Sequence, residues 1–172
     1  IDLDAGERSF TYWRGQSAAR LLADDEALLR AAIDASDVVY FSGITLAILA
    51  PDRRDFLLSL VADARRAGRT TVFDPNVRPR LWEDADEIRR RVRQAAAAAS
   101  IVLPSFDDER TLFGDATPEA CARRYLAAGS GEVVVKNGGG DLCIGDAHGM
   151  QSLHVEEVEP VDTTGAGDSF NG

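Results

Sequence analysis

Thr70-Thr71-Val72-Phe73-Asp74-Pro75-Asn76 sets the pattern that decides the fold: a short run of β-branched and aromatic residues that stops at an acid, a proline and an amide. The same arrangement recurs on both sides. Upstream, Val38-Val39-Tyr40-Phe41 precedes Ser42-Gly43. Downstream, Ile101-Val102-Leu103 precedes Pro104-Ser105, and Val133-Val134-Val135 precedes Lys136-Asn137-Gly138. Between these runs the sequence predicts helices near 53–67, 84–99 and 118–128, the last with Thr117 as N-cap and Pro118 at the first helical position. Short apolar runs alternating with helices predict a mostly parallel sheet with crossover helices, an α/β fold. In such a sheet the polar residues that follow each strand collect at one edge, where ligands bind. That rule groups Gly43, Asn76, Arg78, Ser105 and Lys136.

Further along, Gly138-Gly139-Gly140-Asp141 and Gly145-Asp146 flank Leu142-Cys143-Ile144, which predicts two tight turns around a short strand and an antiparallel edge on the sheet. Before the first run, Ala18, Leu21, Leu22, Leu28, Leu29, Ala32 and Ile33 have helical spacing and predict one or two helices. Residues 1–14, with Arg8-Ser9-Phe10-Thr11-Tyr12-Trp13, read as a strand or hairpin arm peripheral to the main repeat, leaving 15–172 as the α/β core. No internal repeat or interdomain linker is visible. The chain opens at Ile1 without a methionine and stops at Gly172, a few residues into a predicted helix, so further material is expected at both ends.

The 172 residues are 45% apolar, enough for one domain with a buried core, and carry a net charge of -10. Phosphate backbones need a basic surface, and no dense Lys/Arg run exists here, so nucleic acid is excluded as a partner. The longest apolar stretches fall far short of the roughly 18 residues that a membrane helix requires. A cytosolic protein is expected, with no membrane partner. Cys121 and Cys143 have no CxxC spacing and read as buried, reduced thiols; His148 and His154, six positions apart on an expected strand, lack a third ligand and read as structural.

The chemistry concentrates in Val161-Asp162-Thr163-Thr164-Gly165-Ala166-Gly167-Asp168-Ser169-Phe170. Two glycines allow a tight turn, and a helix starting near Ala166 aims its free N–H groups at an anion. A carboxylate at Asp168, in that first turn, is placed to take a proton from an alcohol that attacks a phosphoryl group held by the same amides. A dinucleotide loop is excluded, because Phe170 stands where its third glycine belongs and Asp168 would repel a pyrophosphate. A P-loop is excluded because GxxxxGK[ST] occurs nowhere.

The stretch 162–170 resembles the C-terminal signature of the PfkB-type, ribokinase-like carbohydrate kinases. Two further segments resemble the 2-keto-3-deoxygluconate kinases within that family. These are Phe73-Asp74-Pro75-Asn76-Val77-Arg78-Pro79-Arg80-Leu81-Trp82 and Phe10-Thr11-Tyr12-Trp13-Arg14-Gly15-Gln16-Ser17-Ala18-Ala19. The resemblance implies a ribokinase-like fold with a β lid, here incomplete, and a homo-oligomer in the full-length protein. It implies transfer of phosphate from MgATP to a sugar acid, 2-keto-3-deoxygluconate giving its 6-phosphate. Gly165, Ala166 and Gly167 become the anion hole and Asp168 the base. Tyr12, Arg14, Asn76 and Arg78 become substrate ligands, a reading that the carboxylate of a sugar acid supports independently, since arginine offers it a planar fork.

Lys136 and Gly138 resemble positions leading into the nucleotide site, with Ser105 beside them. Many relatives carry Asn-x-x-Glu after the third strand; here Ser105 replaces the asparagine, and Asp108 is left to hold Mg²⁺ through its water shell. Two alternatives stand beside this reading. One is a ribokinase, fructokinase or nucleoside kinase, which needs no two arginines in its sugar pocket; the other is a silent sugar-acid or nucleotide sensor that binds without turnover.

Overall fold

The computed structural model describes residues 17–156, 158 and 163–172, together with the backbone of residues 2–4 and 7–9. Strands β1 (Asp2–Asp4) and β2 (Glu7–Ser9) pair antiparallel, Asp2 opposite Ser9, so the described part of the N-terminal arm is a two-stranded antiparallel ribbon. The aromatic part of that arm, Tyr12 and Arg14 included, lies outside the described residues.

Where one or two helices are expected there are a 3₁₀ turn (Ala18–Leu21) and α1 (Glu26–Asp34), the second capped by Asp25, whose carboxylate accepts the Leu28 amide at 2.9 Å. Then come β3 (Val38–Ser42), α2 (Gly43–Ile48), α3 (Pro51–Arg66), β4 (Thr70–Asp74), α4 (Ala85–Ala98), β5 (Ile101–Val102), α5 (Phe106–Phe113), α6 (Pro118–Ala127) and β6 (Glu132–Val135). The chain continues with β7 (Leu142–Asp146), β8 (Gly149–Leu153) and α7 (Ala166–Asn171). Strands β3 to β8 form one sheet in sequence order, parallel from β3 to β6 and antiparallel from β6 to β8. The α/β architecture with an antiparallel edge is therefore the observed one.

Why these runs become interior strands is visible in their burial. Phe73, Val102, Val133 and Val135 are each wholly covered, and Phe41 stacks on Phe73 with ring centroids 4.9 Å apart. Each such side chain contributes about 2–3 kcal/mol by leaving water. Helix α6 packs on β6 and β7, while α3 packs on β4 and α4. The caps follow the sequence rules, with Asp84 accepting the Glu87 amide at 2.8 Å and Thr117 the Ala120 amide at 3.2 Å.

Three expectations need correction. Gly145 does not turn the chain; it lies within β7, and the reversal comes after Asp146, whose carboxylate accepts the His148 and Gly149 amides at 2.7 and 3.1 Å. The two histidines are accordingly not strand residues: His148 sits in that turn, and His154 follows β8, where it meets Asp141 at 2.8 Å. Gly43, grouped with the ligand edge, has a packing role instead. A Cβ there would fall 1.9 Å from the Pro75 carbonyl oxygen, so only glycine lets α2 start beside the end of β4.

Candidate active site

Strand β4 ends on Asp74, which is 2% exposed, and the chain then turns through Asn76 with φ of 34°, a left-handed conformation that asparagine tolerates better than most residues. The Asp74 carboxylate supports the turn by accepting the Asn76 amide at 3.1 Å. Two strands along, parallel pairing continues past β5 and β6 through Ser105 and Lys136. There the Lys136 amide donates to the Pro104 carbonyl and the Phe106 amide to the Lys136 carbonyl, both at 2.8 Å. The lysine backbone is thus held on both sides, and its side chain projects from the strand end. Its ammonium donates to Asp74 at 3.2 Å and to the Asn171 side-chain oxygen at 3.1 Å.

Helix α7 closes this edge. Gly165 adopts φ of 73° as the residue before the helix, and the first helical bond runs from the Ser169 amide to the Gly165 carbonyl at 2.8 Å. The Gly167 and Asp168 amides precede that bond and have no carbonyl one turn back within the helix. The Lys136 ammonium lies 3.9 Å from where a Cβ on Gly167 would stand, so cation and glycine loop border one space.

That space is a cavity of about 210 Å³. Asp74, Asn76, Arg78, Ser105, Asp108 and Lys136 line it from the sheet side, and Thr163, Gly165, Ala166, Gly167 and Asp168 from the helix side. A second cavity of about 340 Å³ adjoins it and shares Ser105, Lys136, Ala166 and Gly167. Its remaining wall is mostly apolar, with Phe106, Leu142, Val155 and Phe170, and includes Asn137 and Gly138. A polar chamber and an apolar one thus meet at a lysine and a glycine loop, an arrangement suited to a phosphate chain whose aromatic end lies on the apolar side.

The structure brings Asn76, Arg78, Ser105, Asp108, Lys136, Gly165, Ala166, Gly167 and Asp168 to one cavity and Gly138 to its neighbour. Arg78 is exposed and donates to the Val77 carbonyl at 2.8 Å. Burial raises the Asp108 pKa above the ordinary carboxylate value; the Arg78 charge opposes that shift, and the Asp74 charge adds to it. Ser105 heads α5 yet makes no capping bond with its side chain, which leaves the hydroxyl available at the junction of the two cavities. The Tyr40 pKa is raised by burial first, with the Asn171 hydrogen bond opposing and the charges of Asp74 and Asp168 adding to the rise.

Sequence reasoning missed Asp74 as a site group, and with it Asn171, Tyr40 and the apolar set Phe106, Leu142, Val155 and Phe170. For Asp74 a signal existed, an acid at the last position of an otherwise apolar strand. The others become neighbours only through the fold.

Comparisons with known proteins bear on the family and the fold. A 2-dehydro-3-deoxygluconokinase from Haemophilus influenzae is 41% identical, the alignment covering 99% of this chain and 56% of that protein. The crystal structure of a PfkB protein from Polaromonas sp. JS666 superposes with a TM-score of 0.70 at 33% identity, over 83% of this chain and 46% of that one. A putative ribokinase II from E. coli, solved in complex with ATP and Mg²⁺, superposes with a TM-score of 0.66 at 27% identity, over 82% of this chain and 45% of that one. The chain spans about half the length of the relatives it matches. Residues 1–172 match the pfkB family carbohydrate kinases from end to end, and with its glycine loop, lysine and aspartate assembled on a ribokinase-like sheet edge, the chain belongs to that family.

Proposed function

We propose that this protein is an ATP-dependent kinase of a sugar acid, with 2-keto-3-deoxygluconate as substrate and its 6-phosphate as product. The observation that carries the reading is that Asp168, the Gly165–Gly167 backbone and Arg78 face one small cavity. A base, an anion-binding turn and a cation suited to a carboxylate are the three groups this reaction needs. The name of the Haemophilus influenzae relative supports the choice of substrate.

In this mechanism Asp168 accepts the proton of the attacking hydroxyl. The amides at the start of α7 and the Lys136 ammonium oppose the charge on the transferring phosphoryl oxygens, and positioning with electrostatics supplies most of the rate. Arg78 and Asn76 orient the sugar acid, joined by Tyr12 and Arg14 from the N-terminal arm, which we assign to a lid over the site. The apolar cavity beside Gly138 takes the nucleotide base. Mg²⁺ fits the residues present: the Asp108 carboxylate and the uncommitted Ser105 hydroxyl would hold its water shell, and the ion would supply positive charge to the phosphates. No helix among the described residues is long and apolar enough to cross a membrane, in keeping with the cytoplasmic location we assign. We further assign a homo-oligomer formed through the lid.

The test is ATP-dependent phosphorylation by the intact protein of 2-keto-3-deoxygluconate beside ribose, fructose and adenosine. Preference for the sugar acid supports the reading. Preference for a neutral sugar would leave a kinase but remove the carboxylate argument, and binding without turnover would point to a sensor.

A further inference from the structure

Asp74 carries no step of the mechanism above, yet it is nearly sealed from solvent and takes more polar contacts than turn formation needs. Its Oδ1 accepts the Asn76 amide, while its Oδ2 accepts both the Lys136 ammonium at 3.2 Å and the Asn171 side-chain amide at 2.5 Å. Lys136 also donates to the Asn171 oxygen, which closes a ring of three side chains, and the Asn171 amide reaches the Tyr40 hydroxyl at 3.2 Å. Tyr40 in the middle of β3 and the ends of β4 and β6 are thereby tied to Asn171 of α7.

The clasp grips α7 at Asn171, on the side of the helix that meets the sheet edge. Asn171 lies three residues after Asp168, within one helical turn, so whatever holds Asn171 also holds Asp168 and the glycine loop before it. Lysine, with a long flexible stem, is a poor anchor by itself; a buried carboxylate that grips its ammonium and the helix end together makes it a rigid one.

We infer that Asp74 is a positioning residue of this site: through Lys136 and Asn171 it sets the placement of α7, and so of the Asp168 carboxylate and the Gly165–Gly167 backbone, against the phosphoryl group. The catalytic consequence rests on the phosphoryl-transfer reading above; the clasp does not.

The experiment pairs amide hydrogen exchange with steady-state kinetics on the intact protein, using wild type, Asp74→Asn, Asn171→Ala and the double variant. Exchange at Gly167 to Phe170 is expected to speed up about tenfold in either single variant, with protection in β4 and α4 unchanged. The kcat is expected to fall about a hundredfold, since a misplacement near 1 Å has that effect, while KM for the sugar acid stays within about threefold. The double variant is expected to be no worse than the poorer single one, because both cut the same link. Unchanged exchange in α7, additive losses, or a raised KM at constant kcat would each overturn the inference. If Asp74→Asn does not fold, Asn171→Ala decides by the same exchange readout, since it cuts the clasp from the helix side. If the wild type phosphorylates no sugar acid, the substrate reading fails while the exchange arm still judges the clasp.

Discussion

Arg54 and Arg78 both serve the loop between β4 and α4, in opposite electrostatic settings. Arg54 is 4% exposed. It donates to the Leu46, Leu49 and Ala47 carbonyls at 2.9, 3.0 and 3.2 Å and to Glu83 at 2.9 Å, and its guanidinium lies 5.0 Å from the centre of the Trp82 ring. It thus caps the end of α2 and pins the loop. Arg78 is exposed and pairs with no carboxylate at ion-pair distance among the described residues. The same contrast appears within α5, where Glu109 is buried against Arg124 at 2.7 Å while its neighbour Asp108 faces the cavity. Arg54 is thus consumed by the scaffold, whereas Arg78 on the cavity keeps donors for a ligand; Asp74 and Lys136 line the same cavity but satisfy each other.

The sharpest way to break that contrast is at Asp168, an exposed carboxylate on the cavity. Asp168→Asn keeps size and shape but removes the proton acceptor, so kcat should fall about 10³-fold, about 4 kcal/mol in barrier, with an unchanged melting temperature. Turnover within tenfold of wild type would place the base elsewhere. Arg54→Ala should do the reverse. It leaves the Leu46, Leu49 and Ala47 carbonyls without their buried donor while half-exposed Glu83 is taken up by water, a loss of about 1–3 kcal/mol, so the denaturant midpoint should drop while KM of the folded fraction holds. A raised KM at unchanged stability would mean that Arg54 belongs to the site.

How far the sequence reveals this division depends on the range of the interactions. The strand from Thr70 to Asp74 and the glycine loop at Gly165 are legible because hydrophobic runs, caps and positive-φ glycines are local signals. Helix α2 is not, because Gly43–Ile48 continues the apolar run of β3 directly and no change of period marks the switch. Gly145 misleads because a glycine beside an aspartate reads as a turn, whereas the Asp146 side chain makes the turn one step later. The pairing of Asp74 with Asn171, 97 positions apart, leaves no local trace at all. Nor does anything near residue 54 foretell that Arg54 will be buried and Arg78 exposed.

Glu109 tests the scaffold side through pH. Burial pushes its carboxyl up to about 7, although Arg124 pulls the other way, and its Oε1 has no hydrogen-bond partner among the described residues. Because the folded pKa lies above the ordinary value of 4.5, the native state holds a proton that the unfolded chain has released between those two pH values. Stability should therefore fall as pH rises from about 4.5 to 7, by roughly 2 kcal/mol, and level off above. Glu109→Gln removes that titration, so its stability should be flat across the window. Thermal melts at pH 5 and pH 7.5 give the comparison, and an equal slope in both proteins would assign the pH dependence to other groups.

Arg78 gives the smallest expected effect and the most specific one. An exposed guanidinium is screened by water, so the loss on Arg78→Ala should be about tenfold in KM for the sugar acid, near 1.4 kcal/mol, with kcat little changed. For a neutral sugar, which has no carboxylate to lose, KM should move less than about twofold. Arg78→Lys should recover only part of the affinity, because an ammonium cannot match both carboxylate oxygens with a planar fork. Low salt should widen the gap between wild type and Arg78→Ala and high salt should narrow it, as a contact between exposed charges requires. If the two sugars suffer alike, Arg78 shapes the loop as Arg54 does, and the contrast between the two arginines is one of burial alone.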